Sequence, residues 1–428
     1  MNLSLLKGIA SIRLIDFLRG TSIYSNLKTL RIDQFKSYDY LQKISKNKFD
    51  RHLSYASENS IYYKQLFSQN IQQVLTKDLI RNNFNQLKSA AFNGKVFSKS
   101  TGGSTGNPLV YLTTQQAQSF MWAAIFLSWE TAGYTIGDRV AFIAGTSLHK
   151  SDYRHKYFYK LLNVQIYSAY NLEDENIKIY LDSIAKKRIK LIYAYASVLD
   201  RIADYLLKYN IQPVNSVLAI VSTAEVLTPE IRNKIELAFG LRVFNQYGCN
   251  EAGISAFECE HGKMHLINSG SWAYTDYQDN LIATNLVNEA FIFINYFSGD
   301  KVKFSKSKEC RCNRGYPIIS EIIGRTFDFV RDTTGKVLNG AFFSILFRSD
   351  ASIERYQIQY DLSIIKVLLK INTDSYHADA YCKYVSVLQK YLKFDHYEIL
   401  INEPFLTIPN GKHLQVIDLT KRTHEYLV

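Results

Sequence analysis

VLAIVSTAEVLTPEIRNKIELAFGLRVFNQYGCNE, residues 217–251, joins two short apolar runs through one well-punctuated helix. Thr228 can cap that helix, Pro229 suits its first turn, and Gly240 ends the run from Glu230 to Phe239. The flanking runs, 217–221 and 241–244, read as strands. Similar runs at 140–144 and 189–195, separated by helical stretches, extend the alternation and make the region α/β with a largely parallel sheet. Upstream, residues 1–90 hold helical-length stretches with few breakers, and the aromatic-rich Ser60-Ile61-Tyr62-Tyr63 lies between two of them. Downstream of Gly324-Arg325 the chain becomes strand-rich, then helical around 376–392, then strand-like at 397–401. The expected organisation is a large α/β domain over 1–325, helical and basic over 1–90, followed by a small α+β domain over 326–428.

Composition narrows the classes. A length of 428 residues allows two or three domains. With 47% hydrophobic and 21% charged residues the chain is not a disordered one, and 20 glycines and 6 prolines exclude collagen-like or low-complexity readings. Five cysteines are too few for a disulfide scaffold, and an odd count with a close pair at Cys310 and Cys312 suits a reducing, cytoplasmic setting. Lys7, Arg13, Asp16 and Arg19 interrupt the N-terminal apolar stretch, which therefore reads as neither a signal peptide nor a spanning helix. The net charge of +12 is uneven: residues 1–100 carry 16 Lys and Arg against 6 Asp and Glu, and the remainder is close to neutral. That distribution argues against nucleic acid as a partner. It leaves a basic N-terminal face, either simply solvated or turned to an anionic membrane or an acidic carrier.

The densest chemical signal is Ser100-Thr101-Gly102-Gly103-Ser104-Thr105-Gly106-Asn107-Pro108. Glycines let backbone N–H groups approach phosphate oxygens and the hydroxyls add donors, although the spacing and lysine of a Walker loop are absent. The segment also reads as a linker. Tyr247-Gly248-Cys249-Asn250-Glu251 follows a strand-like run, which places an aromatic and a carboxylate at a strand's C-terminal end, where open α/β sheets bind ligands; a tight turn with a core tyrosine is the plainer reading. Ser298-Gly299-Asp300 follows the apolar run 291–297 and offers a carboxylate to ribose hydroxyls or a hairpin turn. Gly411-Lys412 ends a turn near the C-terminus, where a lysine is either functional or merely exposed.

In order, these elements resemble the adenylate-forming enzymes, and within them the phenylacetate-coenzyme A ligase-like branch often found among polysaccharide-locus proteins. The resemblance runs over nearly the whole chain: the loop at 100–108, the Tyr-Gly-x-x-Glu box at 247–251, Ser298-Gly299-Asp300 for Thr-Gly-Asp, Gly324-Arg325 with Asp328, and Asn410-Gly411-Lys412. Leu75-Thr76-Lys77-Asp78 and Ser222-Thr223-Ala224-Glu225 have counterparts there too. The resemblance implies ATP-dependent activation of a small carboxylic acid, aryl or acyl, to an acyl-adenylate with release of pyrophosphate, then transfer to a thiol such as coenzyme A. The alternatives are transfer to an amine, amino sugar or carrier protein in surface-polysaccharide biosynthesis, or an idle scaffold. It also implies roles: the loop cradles pyrophosphate, Glu251 binds magnesium, Tyr247 stacks on adenine, Asp300 holds the ribose with Arg325 close by, and Lys412 bridges the carboxylate and α-phosphate. Ala224, Glu225, Gly248 and Asn250 line the nucleotide site, and the small domain acts as a mobile lid. Two departures stand out, Phe327 for the first aspartate of the hinge pair and Asn250 for Thr or Ser before the magnesium glutamate. Oligomeric state stays open between monomer and homodimer.

Cys259 and His265 are followed about 50 residues later by Cys310 and Cys312, four soft or borderline ligands that suit a closed structural zinc site. His261 is the alternative to His265, and free thiols are the alternative to metal. Cys249 lies beside the site without a matched base and reads as a lining residue.

Overall fold

The computed structural model describes residues 3–100, 109–144, 153–169, 172–325, 329–339, 355–372, 378–406 and 416–420, with Phe343, Leu346, Phe347 and Ile353. The chain divides into two units, one of Met1–Lys99 and Val110–Gly324, the other of Arg325–Val428 with Ser100–Leu109.

The larger unit opens with five helices, α1 (Leu3–Arg19), α2 (Ile23–Asp33), α3 (Tyr38–Asn59), α4 (Ile61–Ser68) and α5 (Lys77–Asn82). Their starts follow from capping chemistry. Ser37, Ser60 and Thr76 each accept a backbone N–H from the first turn of α3, α4 and α5. Asp16 does this for α2 from a distance: its carboxylate accepts from the N–H groups of Ile23 (2.8 Å) and Tyr24 (3.0 Å), where the helix's positive end favours an anion. Leu75, ahead of α5, exchanges backbone hydrogen bonds with Asn295 and Phe297 at 2.9 and 3.0 Å, which ties the helical region to the sheet.

β1 (Val96–Ser100) and β2 (Val110–Thr114) form a two-stranded sheet, and Thr114 caps α6 (Gln115–Thr131). The alternation then runs β3 (Val140–Ala144), α7 (Tyr153–Leu161), β4 (Val164–Ser168), α8 (Asp174–Lys186), β5 (Leu191–Tyr195), α9 (Ala196–Lys208), β6 (Ala219–Thr223), α10 (Pro229–Phe239) and β7 (Val243–Cys249). These strands pair in parallel in the order β4-β3-β5-β6-β7, an open doubly wound arrangement. Strand periodicity divides the core. Val140, Leu191, Tyr193, Ala219 and Val221 bury toward α1, α2, α6 and α7, while Ala141, Ile143, Ile192, Ala194 and Ile220 bury toward α8, α9 and α10. The sheet reaches eleven strands by adding β8 (Ile254–Glu258), β9 (Met264–Leu266), β10 (Ser271–Thr275), β11 (Asn280–Asn285), β12 (Tyr296–Phe304) and β13 (Ile318–Arg325), in the order β10-β11-β12-β13-β9-β8 beside β7.

α10 is built as expected: Thr228 Oγ1 accepts from Ile231 N, Pro229 opens the helix, and Gly240 closes it with φ +62. Strand limits move by a few residues. β6 begins at Ala219 because Val217 N–H turns back to Val214 O and Leu218 is exposed. β7 continues through polar residues to Cys249 because Asn245 and Gln246 still pair with β6. The run from Phe291 to Ile294 is buried yet lies outside the named strands, so Ser298-Gly299-Asp300 sits within β12 rather than after it.

The smaller unit holds an antiparallel pair, β14 (Phe329–Arg331) and β15 (Val337–Asn339), and a four-stranded sheet of β16 (Arg355–Asp361), β17 (Lys366–Asn372), β18 (His396–Ile401) and β19 (Val416–Asp418) in the order β18-β17-β16-β19. Helix α11 (Ala378–Tyr391) precedes β18, and Tyr384 and Leu388 join Ile358, Val367 and Leu369 in one core. Among the described residues no helix is long and apolar enough to cross a membrane.

Candidate active site and metal-binding cluster

The carboxyl ends of β5, β6 and β7 lie side by side, since Tyr195 pairs with Thr223 and Thr223 with Gln246. The segment 224–225 and the box at 247–251, whose first three residues end β7, therefore lie at one end of the parallel strands, where doubly wound folds bind ligands. Ala224 takes a left-handed backbone, φ +66, unusual for a residue with a Cβ. Its neighbour Glu225 accepts from Ser197 N (2.7 Å) and Ser197 Oγ (3.0 Å) and so stabilises the start of α9. Burial, the larger effect, raises the Glu225 carboxyl above its ordinary value against those two bonds.

Tyr247 and Asp300, 53 residues apart, meet directly: the tyrosine hydroxyl donates to Asp300 Oδ2 at 2.7 Å. Local distortion makes this meeting possible. Asn280 of β11 faces Lys301 and Ile282 faces Phe297, so β12 carries extra residues at Ser298–Asp300. Gly299 turns there with φ +83, Asp300 N–H donates to Ser298 Oγ (3.1 Å), and Ser298 Oγ donates to Leu281 O (3.0 Å). Asp300 is buried as a result.

Glu251 follows β7 and is buried at 7% exposure; among the described residues its carboxylate accepts one hydrogen bond, a long one from the Tyr296 hydroxyl at 3.4 Å. Buried carboxylates need fuller partnership than this, and a hard divalent cation would supply it. Asn285 fixes the turn by donating to Glu251 O (3.0 Å) and accepting from Val287 and Asn288 N–H. Asn288 in turn donates to Leu112 O (2.8 Å), linking the turn to the strand that leaves the glycine-rich loop. Close backbone approach is built in: a Cβ on Gly253 would stand 2.5 Å from Gly270 O, and one on Gly270 would stand 2.3 Å from Phe120 Cε1. Asn285, Asn288, Tyr296 and these glycines carry no motif in the sequence; an isolated glycine in a strand-rich region was the available signal.

Asn250 lines a small cleft with Gly253 and Ser255, Cys249 is buried at the end of β7, and Gly248 lies within that strand. Lys99, unmarked in the sequence reading, also lines that cleft. Ser100 ends β1 and the Arg325 backbone ends β13. Thr101, Gly102, Gly103, Ser104, Thr105, Gly106, Phe327, Asp328 and Lys412 lie outside the described residues.

On the far side of β8, four ligand atoms of Cys259, His265, Cys310 and Cys312 lie within 4.8 Å of one another. Cys259 Sγ is 3.7 Å from Cys310 Sγ, close to the roughly 3.8 Å edge of a tetrahedron with zinc–sulfur bonds near 2.3 Å. His265 Nε2 lies 3.2 Å from Cys312 Sγ while its Nδ1 faces Tyr316 O at 3.3 Å, an outer contact that aims Nε2 inward. Burial pulls His265 down to about 4, leaving a neutral imidazole, and lifts Cys259 to about 12. His261 contributes its backbone N–H to Cys259 Sγ (3.4 Å) and is not one of the clustered side chains. The donor set fits a soft or borderline cation with no open carboxylate position.

No family model matches the chain. It is similar to Protein CapK of Staphylococcus aureus, 28% identical over 374 residues that cover 82% of each chain. Among solved structures it is similar to 2-hydroxyisobutyryl-CoA ligase in complex with 2-HIB-AMP and CoA in the thioesterification state, with TM-score 0.59, 15% identity and 91% of each chain covered. The same ligase in the postadenylation state with R3-HIB-AMP gives TM-score 0.56, again at 15% identity over 91% of each chain. The chain has the adenylate-forming ligase fold expected from its motifs.

Proposed function

From the adenylate-forming fold, we propose that this chain activates a carboxylic acid with ATP and passes the acyl group to a thiol such as coenzyme A. A carboxylate oxygen attacks the α-phosphorus, the bond to pyrophosphate breaks, and an acyl-adenylate forms. The thiolate sulfur then attacks the acyl carbon and AMP leaves. The observation that carries the reading is the 2.7 Å bond between Tyr247 and Asp300, beside the buried and under-partnered Glu251. It joins two widely separated motifs at the carboxyl end of β7, the end at which open α/β sheets bind ligands.

In this reading Asp300 accepts from the ribose hydroxyls, and its bond with Tyr247 holds that ring for stacking on adenine. Glu251 binds magnesium, which when bound neutralises phosphate charge. The loop from Ser100 through Gly106 cradles pyrophosphate, with Ala224, Glu225, Gly248 and Asn250 around the nucleotide and Arg325 near the ribose. Glu225 acts as a support, since both of its oxygens hold Ser197. Lys412 bridges the substrate carboxylate and α-phosphate as a point charge, and the unit from 326 on serves as the lid that carries it. A structural zinc is held by Cys259, His265, Cys310 and Cys312.

Phe327, where the family pattern has aspartate, favours a second acceptor reading: the same adenylation followed by transfer to an amine, amino sugar or carrier-bound thiol. The test is isotopic. Acid labelled with oxygen-18 in its carboxylate should place one labelled oxygen in AMP after transfer; label-free AMP, or ADP as product, contradicts adenylation.

A further inference from the structure

α1 is apolar on two opposite faces. Gly8, Ile12 and Ile15, spaced i, i+4 and i+7, form the inner one: both isoleucines are buried in the core shared with β3, β5 and β6, and a Cβ on Gly8 would stand 2.5 Å from Gly137 Cα. Leu6, Ala10, Leu14 and Phe17, at i, i+4, i+8 and i+11, form the outer one, with Leu18 beside them. All five are exposed, Phe17 by 84% and Leu18 by 59%, and among the described residues no other phenylalanine, leucine, isoleucine or valine is as exposed as Phe17. Single exposed apolar residues are ordinary, but a contiguous ridge rimmed by charge marks an interaction surface. The rim here is of one sign. Lys7 and Arg13 stand on either side of the ridge, both exposed and, among the described residues, without a carboxylate partner; the Arg13 guanidinium lies 5.0 Å over the Tyr24 ring. The one acidic residue of α1, Asp16, is taken up by Thr21 Oγ1 and by the N–H groups of Ile23 and Tyr24. Arg19, 4.5 Å over the Phe158 ring, joins the end of α1 to α7, a helix with no acidic residue and with Lys156 and Lys160 exposed.

We infer that the outer face of α1 seats the protein on a membrane surface that contains anionic phospholipid. A convex ridge with a protruding phenylalanine enters the headgroup boundary, where Leu14, Phe17 and Leu18 leave water. Lys7 and Arg13 lay their stems along the ridge and keep their charges at the level of the lipid phosphates. A second copy of the chain is the less suitable occupant, because twofold pairing of this face brings two sets of cations together with no carboxylate between them. The inference is independent of the acid-activating reading and adds a location to it, since α1 is packed on the core of the unit that carries Tyr247, Glu251 and Asp300.

The full-length protein is floated with vesicles of phosphatidylcholine alone and of phosphatidylcholine mixed with phosphatidylglycerol, at low and at high salt. Wild type is compared with Leu14→Ser/Phe17→Ser and with Lys7→Glu/Arg13→Glu after their melting curves are shown to match. A Phe17→Trp variant reports insertion through its emission. The expected result is binding to the mixed vesicles that weakens by at least about 10-fold in either double variant, at high salt, and when the anionic lipid is left out. Emission from Phe17→Trp should shift to the blue on binding, relative to the wild type. Absence of vesicle binding, binding that is indifferent to phosphatidylglycerol, or binding that both double variants retain overturns the inference. So does a concentration-dependent dimer that Leu14→Ser/Phe17→Ser dissolves and that has no affinity for vesicles, which would assign the face to a second copy of the chain.

Discussion

A single hydrogen bond decides how the nucleotide residues are read. The Tyr247 hydroxyl donates to Asp300 Oδ2, and in the proposed reading the Asp300 carboxylate also holds the ribose. Tyr247→Phe keeps the ring and removes that bond, so the KM for ATP should rise by about 5- to 10-fold with kcat nearly unchanged, the size of one net hydrogen bond. An unchanged KM would show that the bond positions nothing. Lys412→Ala should abolish acyl-adenylate formation, read by pyrophosphate exchange, while ATP binding by calorimetry persists; full exchange in that variant removes its role. At this scale the sequence was most legible where polar residues were spaced in a known order. Tyr296 and Asn285 were illegible because their significance arises from burial and from partners far along the chain.

Among the elements, the parallel strands and α10 were readable because apolar periodicity and capping are local. Strand limits were not, since Asn245 and Gln246 remain in β7 by pairing with β6, whereas the apolar residues 291–294 bury without joining a ladder. α3 carries a pH-sensitive element. His52 is buried and has been pushed down to about 4 by that burial. The unfolded chain takes up a proton near pH 6.5 and the folded one does not until about 4, so stability falls as pH drops through that window, by about 3 kcal/mol in the limit. Urea midpoints should show a slope between pH 6.5 and 4 that His52→Phe reduces, with His265 accounting for a further part; parallel curves for the two proteins would exclude His52 as a source. The β8–β9 turn and the loop before β13 are joined by the cysteine–histidine cluster. About one zinc per chain is expected by elemental analysis, reduced in Cys310→Ser and accompanied by a lower melting temperature. A fully folded, metal-free preparation with the same melting temperature contradicts a structural zinc.

At the level of the whole molecule, the chain folds as two units, and the proposed chemistry draws Tyr247, Glu251 and Asp300 from the larger and the loop from Ser100, Arg325 and Lys412 from the smaller. Part of the basic surplus of residues 1–100 is neutralised within the larger unit, where Arg31 pairs with Glu130. The measurement that bears most directly on the account is acid-dependent exchange of labelled pyrophosphate into ATP, with magnesium present, across aryl, fatty and amino acids. The account predicts exchange that requires an acid and is lost in Glu251→Gln and Lys412→Ala. Exchange with no acid in the panel, by a folded protein that binds ATP, would contradict it.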